Sequence, residues 1–395
     1  MKTAAVICEY NPFHLGHAHQ LREMKAEGSV VCIMSGSFTQ RGSAAVLSKY
    51  ERARLAVENG ADLVLELPFP FCSAGGEFFA RGGVAVAEGL SAVDTLCFGS
   101  ESGDTEALVA AVKNTESAPF REALATHLSE RKNASYRTAF AEVYRALYGD
   151  DALFSGSNDI LGFLYVQALQ RSGSAITPQA LLRIGEDYNG EGAGFPSATS
   201  IRRMIGENDE ESLKKAVPSS VFDALTEAMT AGRIANHEKF FPIFASAARA
   251  GLLLGEDVFD APAELVDRIL SAAKVARDMD EVIVLAKTKN FSDSRIRRAM
   301  LMMFFGVHDA DAQAVRYTTV LAANESGREI LSRARKTASL PILTKPADGK
   351  YLPPEARRAF ELTARADSVW ELLCEIPREG GAMLKERPRM IDTHS

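Results

Sequence analysis

The residues whose spacing most directly suggests chemistry lie near the start: Glu9-Tyr10-Asn11-Pro12-Phe13-His14-Leu15-Gly16-His17. His14 and His17 are three apart, so on the first turn of a helix their rings stand close together. Gly16 between them lets a phosphate approach the backbone N–H groups at the positive end of that helix. Imidazoles placed there can donate to phosphate oxygens and stabilise a crowded pentavalent phosphorus without forming a bond to it. Such chemistry suits attack on the α-phosphate of ATP. The plain alternative is a pair of histidines that only cap and pack a helix end. His19 extends the cluster to three, but His14 and His17 already have phosphate work. No protein-held metal is expected, and magnesium is expected to arrive with ATP.

A second anion site is expected at Ser197-Ala198-Thr199-Ser200-Ile201-Arg202, directly after a glycine-rich stretch from Gly185 to Gly194. Hydroxyls and unpaired N–H groups at a helix start attract an anion, and Arg202 adds a charge-assisted donor. Alone, the hexamer reads more readily as a helix cap. Paired in this order with the histidine loop, it reads as the far side of a triphosphate site.

These loops need a frame. Ala4–Cys8, Val30–Met34, Leu63–Leu67 and Thr95–Phe98 are short apolar runs, and the stretches 15–27, 47–59 and 76–90 between them have helical periodicity. Strand and helix alternating at this spacing predict a doubly wound parallel α/β sheet, whose ligands bind beyond the carboxyl ends of the strands. Residues 104–172 read as mainly helical, with breaks near Glu116-Ser117-Ala118-Pro119 and in the loop from Gly149 to Asn158. A further strand is expected at Ala180–Ile184 and a short helix near Ser197. Residues 210–310 read as successive helices, and 316–345 as a strand pair around one more helix. Two domains are expected, a catalytic nucleotide-binding domain over 1–205 and a mainly helical one over 206–395.

At 395 residues the chain is long enough for two cores, and 46% hydrophobic with 25% charged residues excludes a disordered or fibrous chain. Five cysteines without a C-x-x-C pair point to a reduced, cytoplasmic setting, and no membrane span is expected. The net charge of −7 argues against a globally basic nucleic-acid coat. Residues 281–345, however, hold eleven basic against six acidic side chains, a local +5 that leaves −12 for the remainder. Arg295 and Arg298 share one side of a helix there, and such a patch can neutralise several RNA phosphates. Lys49, Arg52 and Arg54 read more simply as a solvated helix face.

The strand, the turn and H-x-G-H together resemble the nucleotidylyltransferase superfamily. Met34-Ser35-Gly36-Ser37-Phe38-Thr39-Gln40-Arg41-Gly42, Phe98-Gly99-Ser100-Glu101, Ser157-Asn158-Asp159-Ile160-Leu161-Gly162 and Ser294-Arg295-Ile296-Arg297-Arg298 narrow it: they resemble the bacterial tRNA(Met) cytidine acetate ligases. The resemblance implies activation of acetate by ATP as acetyl-adenylate with loss of pyrophosphate. The acetyl group then passes to N4 of the wobble cytidine of elongator tRNA(Met), releasing AMP. It further implies an ATP site at Ile7, Cys8, Glu9, Tyr10, Asn11, Pro12, Phe13, His14, Leu15, Gly16, His17, Ala18, His19 and Gln20, with Gly99, Asn158 and Arg183. Ser197 and Thr199 join that site through the second motif, and His14, His17 and Arg202 are the expected catalytic groups. Lys287, Lys289, Arg295, Arg297 and Arg298 are expected to bind tRNA. An adenylyltransferase acting on a small phosphorylated cofactor precursor is the alternative, since both motifs serve that reaction too. The acidic run Glu186-Asp187 departs from the basic loop usual after Arg183 in the family. The oligomeric state is not legible.

Overall fold

The computed structural model describes residues 2–131, 136–149, 152–184, 195–253 and 255–392. Five parallel strands, β1 (Thr3–Cys8), β2 (Ser29–Ser35), β3 (Leu63–Leu67), β4 (Thr95–Ser100) and β5 (Thr177–Leu182), lie in the order β5-β4-β1-β2-β3. Every residue of β1, β2 and β3 is buried, which is why they read as mainly apolar runs rather than alternating ones. The chain winds outward from β1 in one direction to β2 and in the other to β4. The crevice at this reversal therefore opens beside the carboxyl end of β1, where the histidine loop begins.

The first three expected helices are present as Leu15–Glu27, Lys49–Glu58 and Gly76–Leu90. Between β4 and β5 run helices Thr105–Thr115, Ala118–Glu130, Tyr136–Tyr148 and Ser157–Ser172. The expected break near Glu116 is real: Ser117 Oγ accepts from the Phe120 N–H and starts the second of these helices. β5 begins three residues before the expected strand, taking in Pro178. An edge strand of the parallel set tolerates the missing N–H. Arg183 consequently lies one residue beyond β5 and is exposed, not enclosed in an apolar strand. The expected glycine-rich loop from Gly185 to Gly194 lies outside the described residues.

Helices dominate from Glu210 to Phe305, followed by β6 (Thr318–Ala323), a helix Glu325–Ala334 and β7 (Ile342–Leu343). The strand pair around one helix is thus as the pattern predicts. Its destination was not legible: β6 lies antiparallel against β3, Leu63 opposite Ala323 and Leu65 opposite Val320. A last strand, β8 (Arg389–Met390), pairs with β6. Residues beyond 205 therefore extend the same sheet that begins at Thr3. The helix Pro354–Leu373 also returns to it, with Trp370 Nε1 donating to the Ala45 carbonyl at 2.6 Å.

That return corrects the expected solvated face at 49–54. Lys49 is 4% exposed and Arg52 fully buried. Lys49 Nζ lies 2.7 Å from both Glu66 Oε1 on β3 and Asp367 Oδ2 on the helix Pro354–Leu373. Burial opposes its charge, but the two carboxylates outweigh burial and hold the ammonium well above its ordinary pKa. Only Arg54 sits at the surface, between Glu51 and Glu58. No helix among the described residues is long and apolar enough to cross a membrane.

Candidate active site

β1 ends at Cys8, and the chain turns at Tyr10, whose φ of 46° is in the left-handed region. Three residues, Tyr10, Asn11 and Arg52, hold this turn. The Tyr10 hydroxyl meets Cys32 Sγ at 3.4 Å, and its ring packs 4.8 Å from both the Phe13 and His17 rings. Asn11 Oδ1 accepts from the Val46 N–H at 2.8 Å. Arg52, from beneath, donates to the carbonyls of Leu47, Glu9, Ser35 and Gly36, so a single buried guanidinium clamps the ends of β1 and β2 together.

His14 then caps the helix Leu15–Glu27, its Nδ1 accepting from the Gly16 N–H at 3.1 Å. His17 Nδ1 accepts in return from the His14 N–H at 3.3 Å, completing a reciprocal cap. The two rings stack at 3.6 Å. Because each Nδ1 is an acceptor, the neutral ring must carry its proton on Nε2. Burial first, then His14 and Arg183, push His17 well below its ordinary pKa, so it is neutral at pH 7. The pair therefore presents N–H donors, as phosphate chemistry needs. Gly16 has a reason other than phosphate approach: a Cβ there would stand 3.0 Å from the His14 ring.

A cavity of about 1330 Å³ opens over this loop. One side is built from the ends of β4 and β5 and the start of the helix Ser157–Ser172. Glu101 accepts from the N–H groups of Asn158 and Asp159 and from the Asn158 side chain at 2.7–3.1 Å. Asn158 Oδ1 in turn accepts from Arg183 Nη1 at 2.7 Å. Gly99 lies under this chain, where a Cβ would be 3.1 Å from Arg183 Cγ. Asn158 is thus not the helix cap, a place held by Gly156. Asp159, one residue on, is buried and accepts from the hydroxyl of Ser100 and the N–H groups of Glu101 and Ser102, fixing the loop after β4.

On another side Ser197 caps the helix Ala198–Glu207, and Arg202 donates to the Asn11 carbonyl at 2.7 Å and to Thr199 Oγ1 at 3.0 Å. The two motifs recognised separately in the sequence therefore touch. Burial lowers the pKa of Arg202, with Glu9 opposing the shift.

The basic segment supplies a wall that charge counting had placed elsewhere. Lys289, Arg295 and Arg298 line this same cavity, as does Arg41 from the loop after β2. Arg295 lies 5.6 Å over the Phe291 ring, and its buried Nε has no hydrogen-bond partner. Arg298 is 11% exposed, faces Asp260 at 3.5 Å and donates to the Gln40 carbonyl at 3.4 Å. Lys287 and Arg297 are outside the lining, and Lys287 pairs with Asp293 at 2.7 Å. Gln40 is a junction, because its N–H also donates to Glu9 Oε1 at 2.6 Å.

Of the groups expected from the sequence, His14, Gly16, His17, Gly99, Asn158 and Arg183 line this cavity, whereas the Ser197–Arg202 helix start reaches it only through Ala198, with Ser197, Thr199 and Arg202 outside the lining. Sequence reasoning gave no role to Glu101 or Asp159, and it read Arg52 as part of a solvated helix face. Glu101 and Asp159 lay inside the quoted patterns and were the available signal. Ile7, Cys8, Glu9, Tyr10, Asn11 and Gln20 line the cavity, whereas Phe13 is fully buried behind it. His19 lies near Phe195, ring centroids 6.0 Å apart. Among the described residues no group of three or more His, Cys, Asp or Glu side chains is placed to hold a metal.

The family model described as HIGH Nucleotidyl Transferase matches residues 1–382. The tRNA(Met) cytidine acetate ligase of Acetivibrio thermocellus is 33% identical over 95% of this chain and 96% of its own. That of Caldanaerobacter subterraneus subsp. tengcongensis is 34% identical over 94% and 95%. Among solved structures, Thermotoga maritima TmcAL bound with alpha-thio ATP superposes with a TM-score of 0.91 at 29% identity, covering 100% of both chains. Its apo form gives 0.89 at 28% identity, with the same coverage.

Proposed function

The chain belongs to the HIGH nucleotidyl transferase family, with tRNA(Met) cytidine acetate ligases as relatives along nearly its whole length, and from that premise we propose that it is such a ligase. It activates acetate with ATP as acetyl-adenylate, releasing pyrophosphate, and transfers the acetyl group to N4 of the wobble cytidine of elongator tRNA(Met), releasing AMP. The observation that carries the mechanism is the stacked His14–His17 pair, with both Nδ1 atoms engaged by backbone N–H groups.

In this reading the acetate oxygen attacks the α-phosphorus while the Nε2–H groups of His14 and His17 meet the charge that builds on its oxygens. Arg202 holds the loop and adds positive charge beside Ser197 and Thr199. Asn158 and Arg183, braced by Glu101, contact the nucleotide from the opposite side over Gly99. Magnesium would arrive bound to ATP and would offset the charge of its phosphates. Lys287, Lys289, Arg295 and Arg297 meet anticodon-loop phosphates, and Arg298 fixes the helix of Arg295 and Arg297 to the loop that carries Gln40. A wobble base in a single-stranded loop can be unstacked and turned into the cavity. A cytoplasmic enzyme is the setting this substrate requires.

The test is incubation with labelled acetate, ATP, magnesium and total bacterial tRNA. Labelled acetylcytidine in tRNA(Met) is expected, with binding that weakens steeply as salt rises. Adenylyl transfer to a phosphorylated small molecule without acetylation would instead select the alternative enzyme class. His17→Ala should abolish adenylate formation while the fold stays intact by circular dichroism, and wild-type turnover by that variant would refute the site.

A further inference from the structure

Only one of the two chemical steps needs a base. Acetate is already ionised at neutral pH, so activation at phosphorus requires no proton to be removed. Acyl transfer does: the exocyclic N4 forms a bond to the carbonyl carbon and must lose a proton. The histidines are poorly suited to take it, since each Nδ1 is occupied by a backbone N–H and each neutral Nε2 carries a hydrogen. Cys8 also lines the cavity, but burial raises its pKa well above the ordinary thiol value and it remains protonated.

Among the described residues two carboxylates line the cavity, Glu9 and Glu23. Glu23 is exposed on the outer face of the helix Leu15–Glu27. Glu9 follows β1 directly and is fixed at both ends. Its Oε1 accepts from the Gln40 N–H at 2.6 Å, and its backbone carbonyl accepts from Arg52 Nη1 at 2.5 Å. Among the described residues no side chain is hydrogen-bonded to its second oxygen. We infer that the Glu9 carboxylate is the base that accepts the N4 proton during acetyl transfer. The inference rests on the ligase reading. The N4–carbonyl carbon bond forms, the carbonyl carbon–oxygen bond to AMP breaks with the phosphate keeping the electron pair, and the N4 proton passes to Glu9.

The surroundings suit that task. Arg202, Arg52 and Arg41 face Glu9 from three different elements and favour its ionised form, as does the Gln40 N–H. Tyr165 from the helix Ser157–Ser172 and Cys8 on its own strand complete the titratable neighbours, and burial holds both in their protonated forms. Burial makes the Glu9 carboxylate more basic than one in water, with the three guanidiniums and the Gln40 N–H pulling the other way.

Glu9→Gln keeps the shape and can still accept from Gln40, so it tests charge rather than fold. Two reactions are compared at matched melting temperature: acetate-dependent exchange of labelled pyrophosphate into ATP without RNA, and single-turnover transfer from preformed acetyl-adenylate to a tRNA(Met) transcript. Transfer is expected to fall at least about a hundredfold and exchange no more than about tenfold. In the wild type, transfer should rise with pH as Glu9 ionises, and this acid limb should vanish in Glu9→Gln. Glu9→Asp, which withdraws the carboxylate, should retain the limb at a lower rate. Equal losses in both reactions, or an unchanged acid limb in Glu9→Gln, would overturn the inference and leave Glu9 only the place in the ATP site that the resemblance implies. A wild-type chain that neither exchanges nor acetylates would instead refute the ligase reading itself.

Discussion

His14, His17 and His237 each have Nδ1 accepting from a backbone N–H, yet they do different work according to what surrounds the ring. At His14 and His17 the spacing was legible in the sequence, but the tautomer was not, because it depends on N–H groups that only a folded helix start aligns. His237 is a separate case. Its Nδ1 accepts from the Ala44 N–H at 3.2 Å, and burial, with Arg297 next, pushes its pKa down to about 4. The unfolded chain takes up this proton as pH falls below about 6.5, whereas the folded chain does so only near 4. Stability present above pH 6.5 is therefore lost on acidification toward pH 4, by roughly 1–2 kcal/mol between pH 7 and 5 from this residue. Urea titrations at the two pH values should show that loss, and His237→Gln should lose less. An identical loss in the variant would contradict the assignment. Lys49 and Arg52 mark the limit of sequence reading at this scale. A charged residue early in a helix looks solvated, and nothing near it reveals a carboxylate 318 residues away.

Between the strands and helices the reading was most secure where burial is two-sided and weakest where it is not. β1 to β4 were visible as apolar runs, and their helices as periodic stretches, since covering both faces of a parallel sheet imposes both patterns. Loops that receive their shape from distant partners carried no such signal. The segment around Gln40 is one, held by Glu9 on one side and Arg298 on the other. Gly42 makes that docking possible. Its φ is +76°, and a Cβ there would stand 2.7 Å from the Arg298 backbone nitrogen, against main chain that cannot swing aside. Gly42→Ala should cost about 2 kcal/mol of stability and displace Gln40 from Glu9. Thermal unfolding would register the first effect, and a fall in acetyl transfer the second. A variant with wild-type values in both would show that the loop tolerates an alternative seat.

Across the whole molecule, uneven charge pointed to residues 281–345, and three of the basic residues flagged there line the same cavity as the histidine loop. Composition could locate the charge along the chain but not in space. Nor could it show that the sheet is completed from the far side of residue 205. Because β6 covers β3 and Asp367 neutralises Lys49, a fragment of residues 1–205 should leave an apolar strand edge open and a buried ammonium short of one partner. Such a fragment is expected to aggregate and not to bind ATP. Size-exclusion chromatography and nucleotide titration check this, and a soluble, ATP-binding fragment would establish an independent domain. The same pairing bears on synthesis. Roughly 250 residues separate β3 from β6, and at about 5–20 residues per second the ribosome takes some 13–50 s to deliver the strand that closes the edge. Through that interval the nascent nucleotide-binding half carries an unpaired, mainly apolar flank, so slowing translation between these strands should lower the yield of soluble enzyme without changing a single native contact.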